Sequence, residues 1–309
     1  MEFRYIINIL KNILIIPLVG IIFVHLRVIF ITYRYKARLV SMLRIMLLNN
    51  VTSQLLQVIS SIFLGLFNFT LFAFDSPDKH NASIPHNVYE WVETSSSVMF
   101  HTGWLSNTLL ICAHSIIRLS SVVRPLQYRN NFTTSRITMA VTAIWTVSIC
   151  LNLGSFVHRV FFDKLAQIVS FISVLITLIT YVCMIGYLKL MKSQFKRAIP
   201  ESVIHSALSS FMLCSADIVS SIFWIFGYYK MHKLDDNPDA TKEMYDEAQL
   251  ASAIYSVVTQ LRVIAFPILL QMLFSTIRHL FWGSKVDEKN SSVCVPLTVT
   301  SSVKSRESA

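Results

Sequence analysis

Residues 112–128 read Cys112-Ala-His-Ser-Ile-Ile-Arg118-Leu-Ser-Ser-Val-Val-Arg124-Pro125-Leu126-Gln-Tyr128. They end a long apolar segment with an arginine, a second arginine and a proline. Arginine gathers at the cytoplasmic ends of membrane helices, and proline commonly follows a helix that stops. The stretch therefore marks the inner end of a membrane span, and the rest of the chain can be measured from it.

Composition agrees. The 309 residues are 54% hydrophobic and 14% charged, against about 25% charged in ordinary globular proteins, and the mean hydropathy is +0.56. A pair of soluble domains does not fit; an all-α membrane protein does. The net charge of +10 is scattered between apolar runs rather than gathered with stacking aromatics, so it reads as a topology signal and not as a nucleic-acid surface. Of five cysteines, four (Cys112, Cys150, Cys183, Cys214) lie in apolar segments and none shows paired spacing. Neither a metal site nor a disulfide framework is indicated, and no cofactor is expected.

A bilayer core of about 30 Å takes roughly 20 residues of helix. By that ruler seven spans lie at residues 7–30, 44–72, 95–122, 137–157, 165–188, 203–229 and 250–274. No small-residue cleavage site follows a short hydrophobic region near Met1, so the first run is expected to stay as a membrane helix and to serve as the targeting signal. Pro17 and Pro267 fall inside spans, where neighbouring helices can satisfy the freed carbonyls.

Charge orients the spans. The links after spans one, three and five carry Arg34, Lys36 and Arg38, then Arg124 and Arg129, then Lys189, Lys192, Lys196 and Arg197, which assigns them to the cytoplasm. The links after spans two and six are rich in acids, among them Asp75, Glu90, Asp235 and Asp246. The N-terminus is then outside and the tail inside. Of the sequons at Asn50, Asn68, Asn81, Asn131 and Asn290, Asn81 alone is well placed for glycosylation, in the acidic outer link. Beyond the last span, residues 275–282 suit a short amphipathic eighth helix on the inner surface. Residues 1–282 thus form one membrane domain, and 283–309, rich in Ser, Thr and charge, are expected to be a disordered tail.

Membrane-enzyme clusters such as paired intramembrane aspartates, His-Glu-x-x-His or a Gly-x-Ser turn are absent from the sequence, and no enzymatic activity is expected. Seven glycines and no half-to-half similarity also weigh against a transporter.

Arg118 with Pro125-Leu126-x-Tyr128, Trp145 in span four, Phe211-x-x-Cys214 in span six and Pro267 in span seven together resemble the motif order of rhodopsin-like seven-helix receptors. The departures, with the short N-terminus and compact loops, resemble nematode serpentine chemoreceptors of the Srg, Srx and Srv group. Ile117 stands where the family has an acid. Ser215, Asp217, Phe266 and Leu270 replace other motif residues, span two has no aspartate, and span three starts without a cysteine. The resemblance implies a heterotrimeric G protein as partner, met by Arg118, Pro125, Leu126 and Tyr128, and a small external molecule as ligand, in a plasma or ciliary membrane. Without an acid at Ile117 the usual acid–arginine lock is missing, so basal activity is expected to be less restrained.

Two charges stand out on physical grounds alone. Asp217 is about 21 Å up span six and Arg262 about 18 Å up span seven, at about 1.5 Å per residue. They lie at nearly one depth on adjacent spans, where a charge costs several kcal/mol unless paired or hydrated. An Asp217–Arg262 ion pair is expected, as a fixed strut or as a contact that activation breaks. Phe100, His101, Trp104 and Asn107 follow helical spacing on span three, and Phe223, Trp224, Tyr255 and Ser256 lie toward the outer ends of spans six and seven. His101, Trp104, Asn107 and those four are the candidate ligand contacts, a mostly apolar set suited to a small organic molecule. A lone helix histidine more often makes a structural hydrogen bond, and aromatics at span ends also serve as interface anchors. Acidic lipid head groups are expected against the basic loops. The alternatives are a seven-span ion-channel subunit or transporter, and a receptor-like protein acting in assembly or trafficking.

Overall fold

The computed structural model describes residues 13–34, 41–71, 88–155, 157–194 and 242–273, with scattered positions between 211 and 226. Among them the chain is all-helical: α1 (Ile15–Arg34), α2 (Ser41–Leu71), α3 (Val88–Val123), α4 (Pro125–Asn131), α5 (Thr134–Gly154), α6 (Arg159–Gln194) and α7 (Lys242–Leu273). Five stretches are long and apolar enough to cross a membrane: Ile15–Arg34, Arg44–Phe63, Thr94–Val123, Thr134–Gly154 and Phe161–Met191. They coincide with the first five expected spans. Within α7 the apolar stretch is shorter, Val257–Phe266. Most of the expected sixth span, Asp217 and Trp224 within it, Asn81, the 275–282 segment and the tail lie outside the described residues.

Local sequence explains the breaks. Arg124 leaves the helical region at φ −136° and ψ 70°, because the ring of a following proline disfavours the α conformation in the residue before it. Pro125 then opens α4, where its missing N–H is no loss. The link expected after span three is thus itself a helix. At the start of α5 the Thr133 side chain accepts from the Arg136 backbone N–H, satisfying a donor that the helix leaves open. Between α5 and α6 the chain turns tightly at Gly154, whose carbonyl accepts from the N–H groups of Val157 and His158 at 2.9 and 3.1 Å. A β-carbon on Gly154 would lie 2.6 Å from the Phe162 ring, so only glycine leaves the ring its place. The link expected at 159–164 is helical too, as the first turns of α6.

Exposure is inverted relative to a water-soluble protein. Ile16, Phe23 and Met139 are 76%, 69% and 70% exposed, whereas Ser53, Gln54, Gln57, Ser106 and Asn107 are fully buried. Lipid gives apolar side chains no reason to hide, while polar groups must find partners inside. Many hydroxyls find them by bonding back one turn, as in Thr32 to the Val28 carbonyl at 2.7 Å, Ser173 to Val169 at 2.7 Å and Thr177 to Ser173 at 2.7 Å. This distribution fits an integral, multi-pass membrane protein.

α3 packs against α2, α4, α5 and α6, and α2 packs against α1, α3, α5 and α7. The α2 and α3 backbones approach closely at Gly103, where a β-carbon would stand 2.6 Å from the Ser53 carbonyl oxygen. Apolar clusters fill the other contacts. Leu18 and Ile21 of α1 meet Val58 of α2 and Val263 of α7, and Ile111 of α3 meets Tyr181 and Met184 of α6.

Candidate functional site

On α2, Asn49, Ser53 and Gln57 recur every fourth residue, with Gln54 one place further round. Side chains four apart share a helix face. A polar face inside a membrane bundle must turn to its neighbours, and each of these residues reaches a different helix. The Trp145 indole N–H of α5 donates to Asn49 Oδ1 at 2.8 Å. Ser53 Oγ lies 3.2 Å from Asn107 Oδ1 of α3 and donates to the Asn50 carbonyl at 2.8 Å. On α1, His25 Nε2 is 3.4 Å from Gln54 Oε1, and its Nδ1 is 2.9 Å from the Ile21 carbonyl. On α7, Arg262 Nη2 donates to Gln57 Oε1.

Proton placement follows from those partners. In a neutral His25, Nδ1–H donates to the Ile21 carbonyl and Nε2 must accept. Gln54 Nε2 has no hydrogen-bond partner among the described residues, so turning its amide over presents an N–H to the ring and satisfies both groups. Arg262, only 4% exposed, has no such freedom, since a guanidinium keeps its charge and donates only. Gln57 gives it a neutral acceptor, and the Gln57 amide is held in turn by its own N–H to the Ser53 carbonyl at 3.2 Å. Beside this layer, Ser220 Oγ and Thr259 Oγ1 lie 3.3 Å apart and buried.

The expected ligand residues are divided. Trp104 and Tyr255 are brought together in one apolar cluster with Leu105, joined by Leu151, Ala166 and Val169. Asn107 is fully buried and belongs to the α2 contact. His101 sits half-buried with Nδ1 2.8 Å from the Ser97 carbonyl one turn back, a structural bond. Phe223 is 40% exposed, and the Ser256 side chain lies outside the described residues. A groove of about 720 Å³ runs along the outer face of α5, lined by Thr138, Thr142 and Thr146 among others. None of the expected ligand residues lines it.

At the Arg124 end of α3, Ile117 is 6% exposed in a core with Met46, Leu110, Ile137 and Val141, and Tyr128 and Phe132 pack against that core. Ile117 thus belongs to the apolar core on which α4 is anchored. Tyr128 is half-buried; burial pushes its phenol above the ordinary value, with the Arg118 guanidinium opposing. The side chains of Pro125 and Leu126 lie outside the described residues. Phe211 packs edge-on against Tyr181, ring centroids 5.4 Å apart. Among the described residues no group of three or more His, Cys, Asp or Glu side chains gathers to hold a metal.

No protein-family model and no curated protein sequence matches this chain. The polar face of α2 escaped the sequence reading, which noted of span two only that it has no aspartate. The signal was present in the four-residue spacing of Asn49, Ser53 and Gln57.

Proposed function

We propose that the chain is a seven-span, G-protein-coupled chemosensory receptor. It would bind a small external molecule and, without enzymatic activity of its own, pass a helix movement to a heterotrimeric G protein. The observation that carries this reading is the joint at Arg124. There α3 ends five residues past Arg118, and α4 begins at Pro125 with Tyr128 packed on the core that contains Ile117. A partner meeting Arg118 would also meet α4. The Trp145–Asn49 bond lends further support, since it gives the family-like tryptophan of span four a structural partner.

In this reading spans six and seven complete the bundle, 275–282 lies on the inner surface as an eighth helix, and 283–309 is a cytoplasmic tail. The N-terminus and Asn81 are outside, in a plasma or ciliary membrane, with Asn81 glycosylated. His101, Trp104, Asn107, Phe223, Trp224, Tyr255 and Ser256 remain the proposed ligand contacts. Asp217 is proposed to share the Arg262 guanidinium with Gln57, because five N–H donors leave room for a second acceptor. Ligand acts by favouring the open state through differential affinity.

The test is nucleotide exchange on a panel of purified G proteins by the full chain in lipid nanodiscs, with candidate ligands and with Arg118→Ala. Ligand-dependent exchange lost in the variant supports the proposal. Conductance in planar bilayers with no exchange on any G protein would replace it with a channel.

A further inference from the structure

Many buried hydroxyls of this bundle bond back one turn on their own helix, as Ser60 does to the Leu56 carbonyl at 2.8 Å and Ser173 to the Val169 carbonyl at 2.7 Å. Ser106 of α3, Ser148 of α5 and Ser170 of α6 do not. All three are fully buried, and their Oγ atoms have no hydrogen-bond partner among the described residues. Inside a membrane an unmet hydroxyl is costly, because no solvent stands by to satisfy it.

The three stand at one level. α3 and α5 are antiparallel: Leu105 shares a cluster with Leu151, and further along α3, Leu110 and Ile117 share one with Val141 and Ile137. Ser106 lies between Leu105 and Leu110, so its counterpart on α5 falls between Leu151 and Val141, where Ser148 is the buried residue. α6 runs parallel with α3. Ala166 and Val169 join the Leu105 cluster, while Tyr181 and Met184 join that of Ile111, which sets Ser170 beside the level of Ser106. The pairing of α5 with α6 agrees. Ser148 is one turn further from the Gly154 turn than Leu151, and Ser170 is one turn further from it than Ala166.

Each of these helices packs against the other two. Ser170 follows Ala166 by four residues and precedes Tyr181 by eleven, which is the spacing of one helix face, and that face meets α3. Three hydroxyls at one level of a shared seam, each able to donate once and accept twice, suit a small guest that also does both. Serine is short enough to leave it room. A buried water makes about three hydrogen bonds to groups that would otherwise go unmet.

We propose that Ser106, Ser148 and Ser170 form a binding site for one water molecule that joins α3, α5 and α6. The site holds whether or not the chain couples to a G protein. The apolar cluster of Trp104 and Leu105 with Leu151, Ala166 and Val169 closes it on one side. Because a water can reorient where a side chain is fixed, the link it makes survives small shifts of one helix against another.

The experiment is electron cryomicroscopy of the full chain in lipid nanodiscs, at a resolution that shows ordered water. A density peak about 2.8 Å from at least two of the three Oγ atoms is expected. Hydroxyls turned onto the carbonyls of Thr102, Ile144 and Ala166 one turn back, or bonded directly to one another with no peak between them, would overturn the proposal. Melting temperature gives a second measure. Ser106→Ala and Ser170→Ala are each expected to lower it by about 2–4 °C, as the water loses a partner. The double variant should lower it by less than the sum, because both changes act on one water. A rise in either single variant would mean that the hydroxyls are dry and their removal a relief, and additive losses would mean that each serves its own helix. Either result overturns the site.

Discussion

The Arg262 guanidinium of α7 and the Gln57 side-chain carbonyl of α2 are hydrogen-bonded across the bundle, both buried. A permanent charge is thereby held by a neutral amide, with the rest of that amide fixed to α2's own backbone. Removing the acceptor leaves a desolvated charge that has lost a partner, which is worse than removing acceptor and charge together.

Gln57→Leu is accordingly expected to cost about 1.5–3 kcal/mol, the range for a hydrogen bond to a charged group. Gln57→Leu/Arg262→Leu should recover part of that loss. Thermal unfolding in detergent, followed by tryptophan fluorescence, measures both. Additive losses in the double variant would show that the two side chains are not coupled.

Gly103 and Gly20 give a contrast from one substitution. Gly103→Ala drives a β-carbon against the Ser53 carbonyl, whereas Gly20→Ala adds one where nothing stands within 4 Å. The first is expected to lose about 1–3 kcal/mol by overpacking; the second is expected to gain up to about 1 kcal/mol from helix propensity. Melting temperatures should move in opposite directions. A tolerated Gly103→Ala would mean that α2 and α3 are not so closely set.

For the Trp145–Asn49 bond the expectation is modest. Interhelical hydrogen bonds inside membranes average about 0.6 kcal/mol, so Trp145→Phe and Asn49→Ala should each lose roughly that beyond their packing, and a double-mutant cycle should return a coupling of the same size. A coupling of zero would sink it.

Ile117 makes a sharper case. Ile117→Ala empties part of the core beneath α4 and is expected to cost about 2–5 kcal/mol, with faster amide hydrogen exchange along Pro125–Asn131. Ile117→Asp puts an acid beside Arg118 and, under the proposed coupling to a G protein, is expected to lower basal nucleotide exchange at equal surface expression. Unchanged exchange rates in α4 for the alanine variant would show that Ile117 does not anchor that helix.

The Tyr128 phenol titrates higher when folded than its ordinary value of 10.0. A raised acid holds its proton in the native state while the unfolded chain has lost it, so stability is full below pH 10 and declines as pH rises through the folded value. Tyr128→Phe is expected to flatten that alkaline loss, measured as melting temperature between pH 8 and about pH 11. An identical alkaline slope in the variant would place the loss on other groups.

What was legible in the sequence follows from which quantities sequence can carry. Hydropathy and length located the first five spans because those are sums over about 20 residues. The helix end at Arg124 was legible because proline acts on the residue before it. The site was less legible. For Arg262, the rise per residue gave a depth, but the partner depends on how α7 is rotated and which helix lies beside it, and Gln57 of α2 receives it. Averaged hydropathy also hid the amide face of α2, since four polar residues spaced around apolar ones barely move a window mean. Ile117 was read as a missing acid; that it would share the core on which Tyr128 packs required the fold of α4.

The α2 bonds also give that helix a mechanical character of its own. Hydrogen bonds are directional and fail within an ångström, and α2 has one to each of α1, α3, α5 and α7. The contact of α3 with α6 includes the apolar cluster of Ile111, Tyr181 and Met184, whose packing is less directional than a hydrogen bond. A helix movement of the kind proposed would meet its stiffest resistance around α2, where four directional bonds would have to break together.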